Sequence, residues 1–418
     1  MKINDYTESR KMMARAVKVI PSGVYGHLGP GEGCMIPVDA FPTFASKAEG
    51  PYFWDLDGNK YIDFMCAYGP NVLGYNDPDV DAAAFAQLKE MNCVTLPGKK
   101  MIELAELLTS LTKKDWTFFA KNGGDVTQFA AMIARQHTGK KKIIFVNGYY
   151  HGVAPWSAKA DSAGVLEDDC KHSLYVDFND VDAVKKLIAE NDDIAAFIAT
   201  PYMHGNFVNN ITPAPGYWQE IRKLCTDNGI VLIIDDIRCG FRLDLAGSDH
   251  YYGFEADLIT FCKALANGYN MSAICGKEFL KGSAGSVMYT GSYWMSAEPF
   301  AAAIACINKL KENNAPAYFK KIATYFLDGL KKIAEEKGVK LSISGEPALF
   351  YLIITDDDSL DLHQQWIAEC VKRGLWLTNH HNHFVNLAMT EETMDEALAI
   401  AAEAMDAMIA NNPQVYKR

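Results

Sequence analysis

The sequence lacks the patterns that mark membrane, secreted and nucleic-acid-binding proteins. Its apolar runs are all shorter than the roughly 18–20 residues needed to cross a bilayer. The first ten residues, MKINDYTESR, contain acidic side chains and no apolar segment, unlike a secretory signal. The formal net charge is −12, and no long basic stripe occurs. We therefore expect a protein that binds neither membranes nor nucleic acids.

Cysteine and histidine patterns are also sparse. The ten cysteines are scattered without a CxxC pair, and Cys262, Cys275 and Cys306 lie in apolar runs, where free cysteine behaves as a small hydrophobic residue. This usage is typical of a reducing compartment and predicts a cytoplasmic location. The histidines of the stretch 380–383 match no helical i, i+4 spacing and have no nearby acid, so we expect no metal.

The order of apolar runs predicts an α/β fold. From Trp116 onward strand-like runs alternate with helical ones, which favours a mostly parallel central sheet with helices on both faces. The segments before and after this region predict a smaller α+β domain. The predicted divisions are 1–78 for the N-terminal segment, 79–310 for the large domain and 311–418 for the C-terminal part. The predicted strands of the large domain are 116–120, 142–146, 195–200, 230–235, 258–261 and 272–276.

The remaining elements follow from periodicity and turn residues. A hairpin is predicted over 52–64, around the turn Asp57-Gly58-Asn59. Further strands are predicted near 340–354 and 374–388. Helices are predicted over 8–20, 79–91, 99–112, 125–137, 216–228, 299–312, 315–337, 360–373 and 391–411.

Two predicted strands end in charged residues. The run 230–234 leads to Asp235 and Asp236, and the run 258–261 leads to Cys262 and Lys263. Ligands of open α/β sheets bind at the carboxyl ends of the strands. An acid that holds a pyridinium proton and a lysine that forms an imine are what pyridoxal phosphate (PLP) requires. The pair predicts a PLP site; the alternative for Lys263 is an edge lysine whose amine extends to water.

Two more strand ends carry candidate binding residues. In Asn122-Gly123-Gly124-Asp125, glycines allow a ligand to approach, and the following helix offers N–H groups to a phosphate. A tight turn without a ligand is the commoner alternative. Tyr150 follows the next strand and can stack on a flat ring, although plain packing explains such a residue as well.

Taken together, these motifs resemble the class III PLP-dependent aminotransferases of fold type I, and specifically the glutamate-1-semialdehyde aminomutase-like branch. The similarity runs nearly from end to end of the chain. It rests on blocks in the family's order: YFWDLDGNKYIDF (52–64), YGPNVLGY (68–75), NGGDVTQFAAMIAR (122–135), YYHG (149–152), DDIRCGFR (235–242), ADLITFCKALANGYNMSAICG (256–276), TGSYW (290–294) and NHHNHFVNLAMTEETMDEAL (379–398).

The resemblance implies roles around the cofactor ring. Lys263 would carry PLP covalently and then act as base and acid of the 1,3-proton shift. Asp235 would pair with the pyridine nitrogen. Tyr150 would stack on one face of the ring, and Ile237 would pack on the other.

The resemblance also implies a phosphate site shared between two subunits. Gly123 and Gly124 would donate backbone N–H groups to the phosphate. Ser292, in the place of a family threonine, would reach the phosphate of the other subunit. The implied assembly is a homodimer.

Several positions depart from the family pattern. Thr200 stands where the family has an acid before proline, and Gly29 where the branch has a carboxylate-binding arginine. Arg238 occupies a usually neutral position on the phenolate side of the cofactor, where it could contact the phenolate, bind a substrate acid or pair with Asp236. Tyr25 and His27 could face the substrate, or be ordinary loop residues.

These features predict transfer of an amino group between a β- or ω-amino compound and a 2-oxo acid. The loop, with DFMCAYGP and KNGGD, resembles a subgroup of β-transaminases that act on 3-aminoacyl-CoA thioesters, whose substrates have no free carboxylate. The alternative is a PLP-dependent aminomutase or epimerase. A non-enzymatic regulator is a third interpretation, but the chain has no spare length for a DNA-binding domain.

Overall fold

The computed structural model describes residues 3–24, 36–159 and 161–416, which separate into two compact units. The first unit contains the described residues of 1–77, 205–210 and 317–418. The second contains those of 78–204 and 211–316. The chain therefore leaves the second unit after His204 and returns to it at Ile211.

The strands are short, and most belong to two sheets. They are β1 (Ala45–Glu49), β2 (Tyr52–Asp55), β3 (Lys60–Asp63), β4 (Trp116–Ala120), β5 (Lys142–Val146), β6 (Ser173–Val176), β7 (Ile194–Ala199), β8 (Val231–Asp235), β9 (Leu258–Phe261), β10 (Ser272–Gly276), β11 (Leu341–Ser344), β12 (Tyr351–Ile354) and β13 (Leu375–Trp376).

Among the described residues, no helix is both long and apolar enough to cross a membrane. The helices are α1 (Thr7–Ala16), α2 (Pro78–Glu90), α3 (Lys99–Thr112), α4 (Gly123–Thr138), α5 (Glu167–Cys170), α6 (Val181–Glu190), α7 (Tyr217–Asp227), α8 (Ser248–Tyr251), α9 (Glu278–Ser286), α10 (Glu298–Glu312), α11 (Ala315–Lys337), α12 (Asp361–Lys372) and α13 (Glu391–Asn411).

The second unit is built on a seven-stranded sheet in the order β4-β10-β9-β8-β7-β5-β6. Strands β6, β5, β7, β8 and β9 are parallel to one another. Strand β10 is antiparallel to both β9 and β4. The predicted mostly parallel sheet is therefore confirmed. Strand β6 was not predicted, because its residues SLYV lie at the sheet edge and only Val176 is buried.

Continuous apolar runs explain why the central strands occupy the middle of the sheet. All residues of β7, β8 and β9 are buried, as expected for strands covered on both faces. Helix α4 packs against the same core through Val126, Phe129 and Ile133, the helical spacing that the sequence predicts. Burying each such side chain contributes about 1.5–3 kcal/mol.

The first unit contains a four-stranded sheet, β1-β2-β3-β13, and the antiparallel pair β11–β12. The predicted hairpin over 52–64 is confirmed, with Asp55 Oδ1 accepting hydrogen bonds from the N–H groups of Asp57 and Asn59. The predicted strand over 374–388 is wrong beyond Trp376. There the N–H of Thr378 donates to the His383 ring and the N–H of His383 to a loop carbonyl, so the backbone is satisfied without a strand partner.

Candidate active site

The candidate site lies at one edge of the seven-stranded sheet. Strands β5, β7, β8 and β9 are parallel, and β4 runs in the same direction because β10 is antiparallel to both β4 and β9. Their carboxyl ends therefore share an edge, where such sheets bind ligands. The segments that follow these strands are 121–125, 149–152, 200–204, 235–242 and Lys263.

Asp235 ends β8 and is anchored in place. Its Oδ2 lies 2.6 Å from Nδ1 of His151, and its Oδ1 accepts a hydrogen bond from the N–H of Ile237 at 3.1 Å. Asp235 and His151 are both buried. A carboxylate accepts hydrogen bonds, so the ring proton of His151 lies on Nδ1. Thr127 fixes the other side of this arrangement by donating to the carbonyl of His151.

Lys263 begins a short 3₁₀ turn directly after β9, one strand away from Asp235. Burial, and secondly the positive charge of Arg238, lower the pKa of Lys263 to about 7. Asp235 opposes this shift. At neutral pH a large fraction of the amine is therefore uncharged, as an amine must be to attack a carbonyl carbon. This environment does not fit a lysine that extends freely to water.

Gly123 and Gly124 open helix α4, so their N–H groups have no carbonyl partner one turn earlier. A Cβ on Gly123 would lie 2.7 Å from Cδ1 of Ile237. A Cβ on Gly152, where φ is +109°, would lie 2.6 Å from Cα of Gly124. Glycine is thus required where three loops converge around the helix N-terminus, a geometry that fits a phosphate.

Tyr150 and Ile237, the two residues predicted to flank the cofactor ring, differ in their surroundings. The Ile237 side chain packs on the core beside Gly123. Tyr150 is 64% exposed, and its phenol interacts electrostatically with Arg238. The aromatic ring that stacks inward is Tyr149, whose centroid lies 5.2 Å from that of His151. The roles of Tyr150 and Ile237 on a cofactor ring stay predictions.

Three other predicted residues lie away from this constellation or outside the described ranges. Ser292 is exposed on a turn, and its carbonyl accepts a hydrogen bond from Sγ of Cys93 at 3.6 Å. Tyr25 and His27 lie outside the described residues.

Of the three positions that depart from the family pattern, Gly29 lies outside the described residues, and Arg238 and Thr200 have defined surroundings. Arg238 is partly buried, and burial lowers its pKa. Its neighbour Asp236 accepts two hydrogen bonds from Ser248, and burial raises the pKa of Asp236 well above its ordinary value. Thr200 donates its hydroxyl to the carbonyl of Tyr202 at 2.7 Å. Thr200 is therefore committed to its own loop.

Two functional candidates, His151 and His204, were missed by the sequence reasoning. His151 directly follows an aromatic residue at a strand end and belongs to the YYHG block, which was the available signal. His204 has no comparable sequence signal. Its ring is buried in the first part of the loop that follows β7.

The residues at this edge fit PLP. They provide an anchored carboxylate, an amine with a lowered pKa and a glycine-lined helix N-terminus, which match the pyridine nitrogen, the aldehyde and the phosphate. Within the described ranges, no three His, Cys, Asp or Glu side chains form a group that could hold a metal ion.

Comparison with known proteins gives a consistent result. The family model described as aminotransferase class-III matches residues 36–409. The chain is 35% identical to the aminopentol aminotransferase of Sphingopyxis macrogoltabida, over 96% of this chain and 95% of that protein. It is 30% identical to the 3-aminobutyryl-CoA aminotransferase of Cloacimonas acidaminovorans, covering 94% and 96%. The FumI protein of Sphingopyxis sp. MTA144, solved in its PLP internal aldimine form, superposes with a TM-score of 0.93 at 34% identity, covering 97% of both chains.

Proposed function

Since this chain belongs to the class-III aminotransferase family and is therefore a PLP-dependent aminotransferase, we propose that its substrates are a β- or ω-amino compound and a 2-oxo acid. The observation that supports the assignment of the site is the placement of Lys263 and Asp235 on neighbouring strands. Asp235 is fixed by His151 at 2.6 Å, and the pKa of Lys263 is lowered to about 7.

Each residue has a separate task in the proposed mechanism. When bound, PLP supplies a ring that accepts the electrons left on carbon after a proton is removed. The Asp235 carboxylate holds a proton at the ring nitrogen, and His151 keeps that carboxylate in position. Nζ of Lys263 takes the proton from one carbon and returns it to another, which requires an amine that titrates near neutral pH. Gly123 and Gly124 hold the phosphate, and Tyr150 and Ile237 flank the ring.

The preferred donor is a 3-aminoacyl-CoA thioester. The relative from Cloacimonas acidaminovorans is named for 3-aminobutyryl-CoA. A thioester has no free carboxylate, so it needs no carboxylate-binding arginine at the position of Gly29. An aminopentol is the second candidate, because the relative from Sphingopyxis macrogoltabida is 35% identical over nearly the whole chain.

A half-reaction screen tests the donor. Purified enzyme loaded with PLP is mixed with 3-aminobutanoyl-CoA, with free 3-aminobutanoate or with an aminopentol, and the loss of the visible absorbance of the bound cofactor is followed. We expect fast loss and a keto product with the thioester only. Equal rates with free 3-aminobutanoate would contradict the thioester proposal, and a faster reaction with the aminopentol would favour the second donor.

The same screen tests the reaction class. An aminomutase or epimerase would return its product with the amino group still attached, so a donor alone would release no keto compound. Lys263→Ala should abolish turnover in every assay. Lys281→Ala is the control, because Lys281 is exposed on α9 and pairs with Glu278, three residues earlier on the same helix. Activity retained by Lys263→Ala would overturn the proposed mechanism.

We also propose a homodimer, supported by exposed apolar side chains in the second unit. They lie in two regions. One is formed by α2, the segment 91–98 and α3, and the other is the segment 288–293. The two regions adjoin, because the N–H of Ala297 donates to the carbonyl of Asn92 and Cys93 bridges Ser296. A patch of this kind favours burial by a second subunit. The residues are Phe85, Leu88, Val94, Leu96, Ile102, Met288 and Tyr293.

A mixing experiment tests the dimer and the role of Ser292 together. The expected molar mass is twice the 46.3 kDa of the chain. Homodimers of the Lys263→Ala chain and of the Ser292→Asp chain should each be inactive. If Ser292 serves the partner subunit, a mixed dimer contains one intact site, formed by Lys263 of the Ser292→Asp chain and Ser292 of the Lys263→Ala chain. Random mixing should then restore about a quarter of wild-type activity. No recovery after verified subunit exchange would mean that Ser292 does not complete the partner's site.

We propose a cytoplasmic location from the state of the cysteines. The nine cysteines that the structure describes are free thiols, and disulfides are rare in reducing compartments. Fractionation of the source cells tests this proposal.

A further inference from the structure

His204 is a buried histidine near the candidate site that the proposed mechanism does not use. It follows β7, and an antiparallel bridge between Met203 and Ile211 closes its loop. The side chain is only 8% exposed, and the ring centroid lies 4.3 Å from that of Tyr202. The ring is therefore held in a defined position beyond the carboxyl end of β7.

The two ring nitrogens of His204 have different surroundings. Nε2 lies 3.5 Å from Sγ of Cys239, the residue after Arg238. Nδ1 has no hydrogen-bond partner in the described part of the chain. A buried polar atom without a partner costs about 1–3 kcal/mol, which makes it a candidate ligand contact. An unpartnered nitrogen alone does not identify a ligand contact, because the buried ring of His363 also has one nitrogen without a hydrogen-bond partner in the described part of the chain.

Neighbouring charges distinguish His204 from His363. Burial, followed by the positive charges of Arg238 and Lys263, keeps the pKa of His204 well below its ordinary value. Burial lowers the pKa of His363 to about 4, but its charged neighbour is Asp357, which opposes the shift. His204 is thus a neutral ring in a positive environment. A negatively charged oxygen is the ligand that such surroundings stabilise.

We propose that Nδ1 of His204 and the guanidinium of Arg238 together hold an oxyanion during the reaction. In this arrangement the Cys239 thiol donates to Nε2 and positions the ring, which leaves the ring proton on Nδ1 for the oxyanion. Two oxyanions have the required chemistry: the carboxylate of the 2-oxo acid and the phenolate oxygen of bound PLP. The inference rests on the proposed function and assigns Arg238 one role with either source.

Two substitutions separate the sources. His204→Phe keeps a ring and removes both nitrogens, whereas His204→Gln keeps an amide donor. If the oxyanion is the carboxylate, His204→Phe raises the KM for pyruvate or 2-oxoglutarate by about tenfold or more and leaves the donor KM unchanged, because a hydrogen bond to a charged group is lost. If it is the phenolate, the pH midpoint of the visible absorbance of bound PLP moves upward and both KM values stay. His204→Gln restores the affected value in either case.

His363→Phe is the matched control, since His363 is also buried with one unpartnered nitrogen. His363→Phe should change neither the KM for the 2-oxo acid nor the pH midpoint of the visible absorbance of bound PLP. The proposal fails if His204→Phe binds PLP, melts at the wild-type temperature and keeps both the acceptor KM and the absorbance midpoint. It also fails if His204→Gln is as defective as His204→Phe. Lack of transamination by the wild-type enzyme would instead contradict the proposed function, and the absorbance titration would still test His204.

Discussion

Nδ1 of His151 lies 2.6 Å from Oδ2 of Asp235, and both side chains are buried. The two residues follow β5 and β8, strands that β7 separates. Since burying a carboxyl group is costly unless it is hydrogen-bonded, the ring of His151 offsets part of the cost of placing Asp235 at this edge of the sheet. In the proposed mechanism the imidazole acts through Asp235 as a positioning residue.

Replacing Asp235 with Asn should reduce turnover by on the order of 10²–10³-fold, the usual cost of losing one fixed electrostatic contact in a transition state. PLP should still attach, because Lys263 is unchanged, and its visible absorbance reports this. Asp236→Asn is the matched control. Burial already favours the neutral form of Asp236, and an amide oxygen can still accept from Ser248. If Asp235→Asn and Asp236→Asn lost turnover to a comparable extent, the charge of Asp235 would not be the cause of the loss.

The sequence was sufficient for those parts of the fold that depend on continuous apolar runs. Strands β7, β8 and β9 and helix α4 were predicted because nearly every residue of the strands and one face of the helix must be buried. Strand β6 was missed because edge strands need no such pattern. The strand predicted over 374–388 was wrong beyond Trp376, because His383 satisfies the backbone N–H of Thr378 by a contact that no local pattern encodes.

Uptake of PLP by the apoprotein should accelerate as the pH rises through about 7. Only the neutral amine of Lys263 reacts, and burial and Arg238 lower its pKa to about 7. In Arg238→Gln one of the lowering causes is removed, so the midpoint should move to higher pH. Stopped-flow absorbance at a series of pH values measures the rate of PLP uptake by the wild-type and the Arg238→Gln apoproteins. Lys223→Gln, on the exposed surface of α7, should leave the midpoint unchanged. An unchanged midpoint in Arg238→Gln would show that its charge does not act on Lys263.

Individual site residues were less accessible to sequence reasoning than the sheet edge that carries them. Lys263 and Asp235 stand out because charges rarely end buried strands. His151 and Gly152 could not be assigned in the same way. The partner of His151 lies 84 residues away in the chain, and the close approach of Gly152 to Gly124 depends on how two strand ends meet.

Gly152→Ala should lower both the free energy of unfolding and the affinity for PLP. The new Cβ would lie 2.6 Å from Cα of Gly124, so the helix N-terminus must shift, and φ of +109° disfavours any side chain. Overpacking of this kind costs about 1–3 kcal/mol in addition to the backbone strain. Gly139→Ala is the matched control, with φ of +68° and no atom within 4 Å of its Cβ, and should lose only about 1–2 kcal/mol and no PLP affinity. Urea unfolding and PLP titration measure the two effects.

A large loss of stability is expected when the buried charged residue Lys114 is replaced. Its Nζ lies 3.0 Å from Oδ2 of Asp249, and both side chains are almost fully buried, at 2% and 4% exposure. Lys114→Met would leave the Asp249 carboxylate buried without its partner, which costs about 3–5 kcal/mol in urea unfolding.

Two comparisons isolate this effect of the buried charge. Adding Asp249→Asn to Lys114→Met should recover much of the loss, because the amide removes the charge and its oxygen can still accept from the N–H of Ala256. Lys185→Met breaks the exposed pairs with Asp182 and Glu220 and should change stability by less than about 1 kcal/mol. If the double variant were as unstable as Lys114→Met, the loss would come from altered packing around residue 114, since no uncompensated carboxylate would remain.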